Sequence, residues 1–331
     1  MELTTVADDE AVFFDHEQQI RYDSLEPDTD YELHGLEFRT LPRPGELLCR
    51  FATVNDVHFG EQMCGVIEGT DIGPTFSVDE GDEPYPEFMN RGAVQEIAAI
   101  EPAVVIAKGD LTAVGSDDEY RRFLAVYGDA FGDRLVHVRG NHDSYHGAEF
   151  AAFPTQEIVV PGATLAVIDT ARTHQVNGSI DASQVEWLDE LAVRTDGPVV
   201  VFGHHHMWNP DADFRSDDFF GVRPDDAEAL LAVFARRSNL VGYFAGHTHR
   251  NRSQRIAAGG GARFVEVACV KDYPGSWAEY RVFEGGILQV HRRVATPAAL
   301  SWTEQTRHMY EGGYAFYAFG HLDDRCFEVS R

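Results

Sequence analysis

Five short clusters of Asp, Asn and His stand out in this sequence because their side chains are common metal ligands in proteins. Each cluster lies at or directly after the end of a short apolar stretch. In chain order, the clusters are NDVH (55–58), KGDL (108–111), RGNHD (139–143), GHHH (203–206) and GHTH (246–249). One such cluster alone is weak evidence, because an Asp after a strand often caps a helix. Together and in this order, they predict a centre that binds divalent Mn, Fe, Zn or Co.

Alternating strand-like and helix-like segments must position these clusters. Between about residues 47 and 295, short runs rich in β-branched residues alternate with segments of helical period, which predicts an α/β fold. Because neighbouring strands of such a sheet end at one crevice, we expect the clusters to meet there. The predicted strands are 48–54, 103–108, 135–138, 164–170, 198–203, 240–245 and 263–270. The predicted helices are 86–100, 117–131, 182–194 and 225–237.

Composition divides the chain into three parts. Residues 1–45 predict a β-rich N-terminal arm, in which LEPDTDY (25–31) resembles the tyrosine corner of a fibronectin type III domain. The arm is about half as long as a sandwich, so we expect a remnant pair of strands or a simple structured arm. Residues 46–296 hold the five clusters and form the predicted main domain, with a long loop at 61–85 that shapes access to the site. Residues 297–331 form an aromatic extension that packs on the body, on a second subunit or over a pocket, with core packing favoured.

The composition excludes several classes of protein. The 331 residues include 27 Lys and Arg against 55 Asp and Glu, a formal net charge of −28, so we expect neither a nucleic-acid polymer nor an anionic membrane as a partner. The N-terminus lacks the basic and apolar regions of a signal peptide, and no apolar run reaches the roughly 18 residues of a membrane helix. The four cysteines show no zinc or disulfide spacing. These features predict a cytoplasmic location.

The order DxH, GD, GNH[DE], H and GHxH resembles the pattern of the calcineurin-like metallophosphoesterases over roughly residues 47–292. The resemblance implies an αββα sandwich, in which two facing mixed sheets are flanked by helices. It also implies two divalent or trivalent metal ions (Mn, Fe, Zn or Co) and a small phosphate ester as substrate. The implied ligands of the first metal are Asp56, His58, Asp110 and His249. The implied ligands of the second metal are Asp110, Asn141, His204 and His247, with His205 as the alternative to His204.

A charge count explains why this ligand set suits a phosphate ester. Two divalent ions with Asp56, Asp110 and a bridging hydroxide leave the inner site near roughly +1, which attracts an anionic ester. The family mechanism is attack by that metal-bridging hydroxide. His142 adjoins Asn141 and is the predicted general acid for the leaving group, with Asp143 expected to orient its ring. The alternative for His142 is a hydrogen-bonding role beside the metals.

This sequence differs from the motifs of other branches of the metallophosphoesterases, and these differences narrow the activity that we predict. Ala113 stands where purple acid phosphatases carry a tyrosine, and GDLTAVG replaces the GDxVDRG block of Ser/Thr protein phosphatases. The stretch VIDTARTHQVNGSIDASQVEWLDEL (167–191) is similar to bacterial class III cyclic nucleotide and glycerophosphodiester phosphodiesterases. The sequence thus predicts a metal-dependent phosphodiesterase, with cyclic nucleotides and glycerophosphodiesters as candidate substrates. A phosphomonoesterase and a non-catalytic scaffold protein are the alternatives, and a homo-oligomer formed through residues 297–331 stays open.

Overall fold

Two six-stranded mixed sheets, stacked face to face, form the centre of the structure, a computed structural model that describes residues 1–67 and 69–330. Position 68 of the predicted loop and position 331 of the predicted extension lie outside the described residues. The strands are β1 (Glu2–Val6), β2 (Glu10–Asp15), β3 (Gln18–Asp23), β4 (Asp30–Leu33), β5 (Leu36–Arg39), β6 (Leu47–Val54), β7 (Val105–Lys108), β8 (Leu135–Val138), β9 (Thr155–Val160), β10 (Ala163–Ile168), β11 (Val199–Phe202), β12 (Leu240–Ala245), β13 (Arg252–Arg255), β14 (Arg263–Glu266), β15 (Ser276–Phe283), β16 (Gly286–Arg293) and β17 (Phe327–Ser330). The helices are α1 (Tyr85–Ala99), α2 (Asp117–Phe123), α3 (Asp129–Phe131), α4 (Asn141–Ser144), α5 (Ala182–Arg194), α6 (Pro224–Arg236), α7 (Pro297–Thr306), α8 (Gly313–Phe319) and α9 (Leu322–Arg325).

The first sheet has the order β17-β16-β15-β6-β7-β8, and the second has the order β13-β14-β12-β11-β10-β9. Strands β6, β7 and β8 run parallel to one another, as do β10, β11, β12 and β14. Apolar side chains between the sheets, such as Phe51, Phe202 and Tyr280, are buried and pack in one cluster. Further apolar clusters lie on the outer faces, under α1 and α7 on the first sheet and under α5 and α6 on the second. The predicted sandwich of two sheets between helices is therefore confirmed.

Two predicted elements differ most from the structure. Strand β14 ends at Glu266 rather than at residue 270, because the chain then leaves the sheet and hydrogen-bonds to polar residues near the clusters. Asn55 Nδ2 donates to Val267 O at 3.0 Å, and Ala268 N donates to Asn251 Oδ1 at 3.2 Å. The predicted helix 117–131 is interrupted by a π-helical turn over Leu124–Gly128.

The N-terminal arm contains five strands rather than a remnant pair. Strands β1, β2 and β3 form one antiparallel sheet, and β4 and β5 form a hairpin. The backbone N–H of Glu26 donates to the hydroxyl of Tyr31 at 2.8 Å, the kind of bond that the tyrosine-corner motif predicts. The arm rests on the first sheet, where Thr5 Oγ1 donates to His291 O at 2.7 Å. The division of the chain at residues 45 and 296 stays a prediction.

The C-terminal extension packs on the body and also reaches the edge of the functional site. Strand β17 is the outer strand of the first sheet, beside β16. Trp302 is buried, stacks on Tyr85 with ring centroids 4.5 Å apart, and donates its indole N–H to Lys271 O at 2.9 Å. In the part of the chain that the structure describes, no helix combines the length and apolar character needed to cross a bilayer.

Candidate metal centre

The ends of five strands, which run parallel within each of the two sheets, bring the predicted ligands together. In the first sheet, the clusters after β6, β7 and β8 are adjacent, and in the second sheet the clusters after β11 and β12 are adjacent. The backbone N–H of Gly246 donates to His204 O at 2.9 Å, which joins the last two clusters. The seven residues that meet at this edge are Asp56, His58, Asp110, Asn141, His204, His247 and His249. Whether each binds metal stays a prediction.

Two buried carboxylates form the middle of the cluster. Asp110 Oδ2 lies 3.2 Å from His204 Nε2 and 3.5 Å from His58 Nε2. Asp56 Oδ1 lies 3.4 Å from His249 Nε2 and 4.0 Å from His204 Nε2. His204 is therefore near both carboxylates, and Asp110 lies between two imidazoles that the prediction assigns to different metals.

The backbone at most of the predicted ligands adopts an uncommon conformation. Non-glycine residues with positive φ are rare, although Asp and His are enriched among them, and such residues concentrate at functional sites. Five of the seven predicted ligands have this conformation: Asp56 (φ 52°), His58 (φ 48°), Asp110 (φ 49°), His247 (φ 69°) and His249 (φ 54°). The chain thus turns sharply after each strand, which aims consecutive side chains at the same point.

In two predicted ligands, His204 and His247, one ring nitrogen is held by a backbone carbonyl, which leaves the other nitrogen available to a metal ion. His204 Nδ1 lies 2.8 Å from Lys108 O, and His247 Nε2 lies 2.6 Å from Phe220 O. An imidazole that donates through one nitrogen keeps a lone pair on the other, as metal-bound histidines do. Asn141 Nδ2 donates to Tyr145 OH at 2.6 Å, so its Oδ1 faces the cluster, 3.1 Å from His204 Nε2.

The electrostatics of the cluster fit bound cations. Burial acts against the charged forms, but His249 and His204 hold the pKa of Asp56 below its usual range. Burial likewise opposes protonation of His204, yet Asp110 and Asp56 raise the pKa of this ring to about 9. His58 behaves in the same way, since Glu61 and Asp110 outweigh its burial and raise its pKa to about 10. Extra positive charge is thus favoured here at neutral pH, and two borderline divalent ions can supply it to these oxygen and nitrogen donors.

The structure distinguishes His204 from its neighbour. His205 Nδ1 lies 2.8 Å from Thr170 Oγ1, and His205 Nε2 lies 3.0 Å from Val176 O, so both of its ring nitrogens have partners. His204 has one ring nitrogen on a backbone carbonyl and the other beside Asp110. This geometry favours His204 as the ligand.

His142 lies beside the cluster, but its predicted contact with Asp143 is wrong. The imidazole Nδ1 lies 2.8 Å from Ala113 O. The carboxylate of Asp143 instead accepts hydrogen bonds from the backbone N–H groups of Gly140, Leu111 and Thr112. Asp143 follows the cluster residues in sequence, but the helical turn of α4 directs it to the loop after β7. It therefore holds that loop and not the His142 ring.

Glycine within the clusters allows close approach of the segments that follow different strands. A Cβ atom on Gly246 would lie 2.6 Å from Asp56 Oδ2 and 2.8 Å from Asn55 Cβ. A Cβ atom on Gly140 would overlap Asp110 Oδ1. Each glycine thus lets the backbone pass directly against a predicted ligand of another strand.

A cavity of about 450 Å³ opens onto the cluster. Its floor includes Asp110, Asn141, His142, His247 and His249, and its walls include Ile67 of the predicted access loop. The remaining lining residues are mostly aromatic: Tyr145, Phe220, Tyr310, Tyr314 and Tyr317. The sequence left packing of the aromatic extension over a pocket as one alternative, but it did not indicate that Tyr310, Tyr314 and Tyr317 would be the residues that reach this cavity. A larger cavity, about 630 Å³, lies by the N-terminal arm and is lined largely by ion-paired Arg and acidic residues.

Two related proteins are named as cyclic nucleotide phosphodiesterases. The chain is 25% identical over 232 residues to a cAMP/cGMP dual specificity phosphodiesterase of Mycobacterium tuberculosis, a match that covers 66% of each protein. It is 22% identical over 156 residues to a probable cyclic nucleotide phosphodiesterase of Synechococcus, which covers 45% of this chain and 58% of the relative. The chain thus matches only part of the length of either relative.

Solved structures and a family model complete the comparison. A dimetal phosphatase from Danio rerio has a TM-score of 0.58 at 16% identity, covering 75% of this chain and 97% of that one. Purple acid phosphatase PPD1 from yellow lupin has a TM-score of 0.50 at 14% identity, covering 79% and 54%. At these identities, the likeness concerns the fold alone. A family model for calcineurin-like phosphoesterases matches residues 49–251, more than half of the chain. The chain therefore belongs to the calcineurin-like phosphoesterase family.

Proposed function

We propose that this phosphoesterase hydrolyses phosphodiesters with two metal ions held by the seven residues at the strand ends. The observation that carries the proposal is the pair of buried carboxylates, Asp56 and Asp110. Within the described residues, their ion-pair contacts are all with imidazole nitrogens. Two bound ions would supply a polarised water for attack on phosphorus and positive charge for the phosphate oxygens.

His142 is the group that we assign to protonate the leaving oxygen. An alkoxide needs a proton as its bond to phosphorus breaks. Because His142 Nδ1 lies 2.8 Å from Ala113 O, its Nε2 is the nitrogen that can give up this proton. The backbone N–H of His142 donates to Asp110 Oδ1 at 2.9 Å, which fixes the acid relative to a predicted ligand. The ring lines the cavity, where an ester substituent would lie.

The lining of the cavity supports a diester rather than a monoester. A phosphate monoester carries two negative charges near neutral pH, and proteins commonly bind such groups with Arg or Lys. Among the described residues that line this cavity, none is Arg or Lys. A diester carries a single negative charge, for which the metal ions and neutral donors suffice.

The aromatic wall supports a cyclic nucleotide over a glycerophosphodiester. Tyr310 and Tyr314 meet edge to face with ring centroids 5.4 Å apart, and Tyr317 lies 6.3 Å from Tyr314 in a stacked orientation. Aromatic faces bind planar bases by stacking, whereas glycerol offers no such surface. The names of the two related proteins point to the same substrate class.

Metal analysis combined with a substrate panel tests the proposal. We expect two ions per chain, and faster hydrolysis of bis-4-nitrophenyl phosphate and cyclic AMP than of 4-nitrophenyl phosphate or glycerophosphocholine. Asp110→Asn should lose metal and at least about 100-fold in rate, because one predicted ligand contacts both ions. Asp189→Asn, in a surface ion pair with Arg237, is the matched control and should retain both. Undiminished diesterase activity in Asp110→Asn would contradict the assignment.

We also propose that the protein is located in the cytoplasm and that it self-associates through residues 297–331. The four cysteines are free thiols, three of them buried, which is compatible with a reducing compartment. On α8, the side chain of Phe316 is 87% exposed, so it is available for contact with a second copy of the chain. Sedimentation of the wild type against Phe316→Ser measures this association, and a monomer at all concentrations would contradict it.

A further inference from the structure

A buried chain of polar groups runs from a predicted metal ligand to the C-terminal extension. His58 Nδ1 lies 2.9 Å from Glu61 Oε2, and Glu61 Oε1 lies 2.7 Å from Lys271 Nζ. Lys271 Nζ lies 3.1 Å from Asp272 Oδ2, and the hydroxyl of Tyr314 donates to Asp272 Oδ1 at 2.6 Å. The groups alternate as imidazole, carboxylate, ammonium, carboxylate and hydroxyl.

Packing alone does not account for this chain of groups. Lys271 is 4% exposed, Asp272 is 1% exposed and Tyr314 is 2% exposed. A buried ion pair is commonly no more stabilising than apolar residues of the same shape, because both charges lose their hydration. Lys271 also does not line the cavity, so it is not placed to touch a substrate there. A role in fixing the orientation of its partners explains why the charge is buried here.

The extension closes around the middle of the chain of groups. Trp302 of α7 donates to Lys271 O at 2.9 Å, and Thr306 Oγ1 accepts from Tyr273 N at 3.0 Å. Tyr314 of α8 supplies the last hydroxyl. The loop that carries Lys271 is therefore held by two helices of the extension.

We propose that Glu61, Lys271, Asp272 and Tyr314 are positioning residues that fix the ring of His58 and make the extension part of the metal centre. A carboxylate on Nδ1 leaves Nε2 as the nitrogen for metal, and Nε2 already faces Asp110 at 3.5 Å. Lys271 holds Glu61 on the ring, and Tyr314 holds Asp272 on Lys271. The inference rests on the proposed metal centre, since it concerns the geometry of one ligand of the first metal.

Titration of the metal-free full chain with Mn²⁺ tests the inference. We expect Tyr314→Phe, which removes one hydroxyl, to weaken one of the two Mn²⁺ sites by about tenfold. We expect Lys271→Met to weaken the same site by up to about 100-fold, the range found when such partners of a ligand are removed. The other site should keep its affinity within about threefold, a selectivity that general destabilisation would not produce. The visible spectrum of the Co²⁺ form should change in the same variants, because it reports ligand geometry.

Tyr280→Phe is the matched control, because Tyr280 is also fully buried and its hydroxyl makes a hydrogen bond to Gln289 Oε1 at 3.0 Å, away from His58. It should bind two Mn²⁺ ions as the wild type does. If the wild type binds two ions and Tyr314→Phe matches it at both sites, the positioning role is refuted while the proposed function stands. If Lys271→Met does not fold, Tyr314→Phe alone decides. If the wild type binds no Mn²⁺, both the metal centre and this inference are refuted.

Discussion

Replacing His142 separates its two candidate roles, because proton donation matters only for some leaving groups. The ring is held by Ala113 O through Nδ1, so His142→Ala removes the free Nε2 from the cavity. General acid catalysis contributes about 10²- to 10⁴-fold, which corresponds to about 3–5 kcal/mol of transition-state stabilisation. We expect that full loss in kcat for cyclic AMP, which releases an alkoxide. For bis-4-nitrophenyl phosphate, which releases a stable phenolate, we expect a loss below about tenfold.

Steady-state kinetics on the two substrates measure the difference directly. His142→Asn is a second variant, since its amide can still donate to Ala113 O but cannot act as an acid, and it should behave like His142→Ala. His321→Ala, at an exposed histidine of the extension, is the control and should leave both rates unchanged. Equal losses of kcat on both substrates would refute proton donation and favour the alternative role, a hydrogen bond beside the metals.

Three further changes test the cavity, the strand ends and the fold. Tyr317→Ala should raise KM for cyclic AMP by about tenfold, the order of one stacking contact, and leave KM for glycerophosphocholine unchanged, whereas Phe316→Ala, at a side chain 87% exposed, should change neither KM. Gly246→Ala should lower stability in urea by about 1–3 kcal/mol and reduce bound metal, because its Cβ would lie 2.6 Å from Asp56 Oδ2. Burial opposes ionisation of Glu279, but Arg292 and Arg281 lower its pKa from 4.5 to about 2. The ionised Glu279 should contribute up to about 3 kcal/mol to the free energy of unfolding above pH 4.5, and this contribution should be lost as the pH falls through 2. Urea unfolding across this pH range should show that Glu279→Gln lacks the dependence.

Elements with a strong local pattern were predictable from the sequence. Helix α5 has the predicted bounds, and β8 and β12 also match theirs, because their apolar residues follow one period between clear turns. The meeting of the five clusters was predictable too, since it follows from where parallel strands end. The positive φ angles of Asp56 and His247 were not, because no residue pattern distinguishes a left-handed Asp or His from an ordinary one.

The residues that hold the predicted ligands in place could not be predicted from the sequence, for a different reason. Glu61 and Lys271 are 210 residues apart, and neither belongs to a cluster or to a periodic segment. Asp143 illustrates the opposite error, because adjacency in sequence suggested a contact with His142 that the turn of α4 prevents. Pairing between isolated polar residues depends on how loops fold over the sheet edge, and a single sequence contains no local signal for it.

The net charge of the chain indicates that substrate binding must depend on short-range contacts in the cavity. With a formal net charge of −28, the protein as a whole repels an anionic ester at long range. At physiological ionic strength this field is screened beyond about 8 Å, so binding must depend on groups that the ester touches. Those groups are the predicted metal ions, neutral imidazoles and amide on the floor, and the tyrosines of the extension on the wall. In the proposed site, the extension would therefore contribute directly to substrate binding, and the contacts from Tyr314 to His58 would let the same segment influence the proposed metal ion.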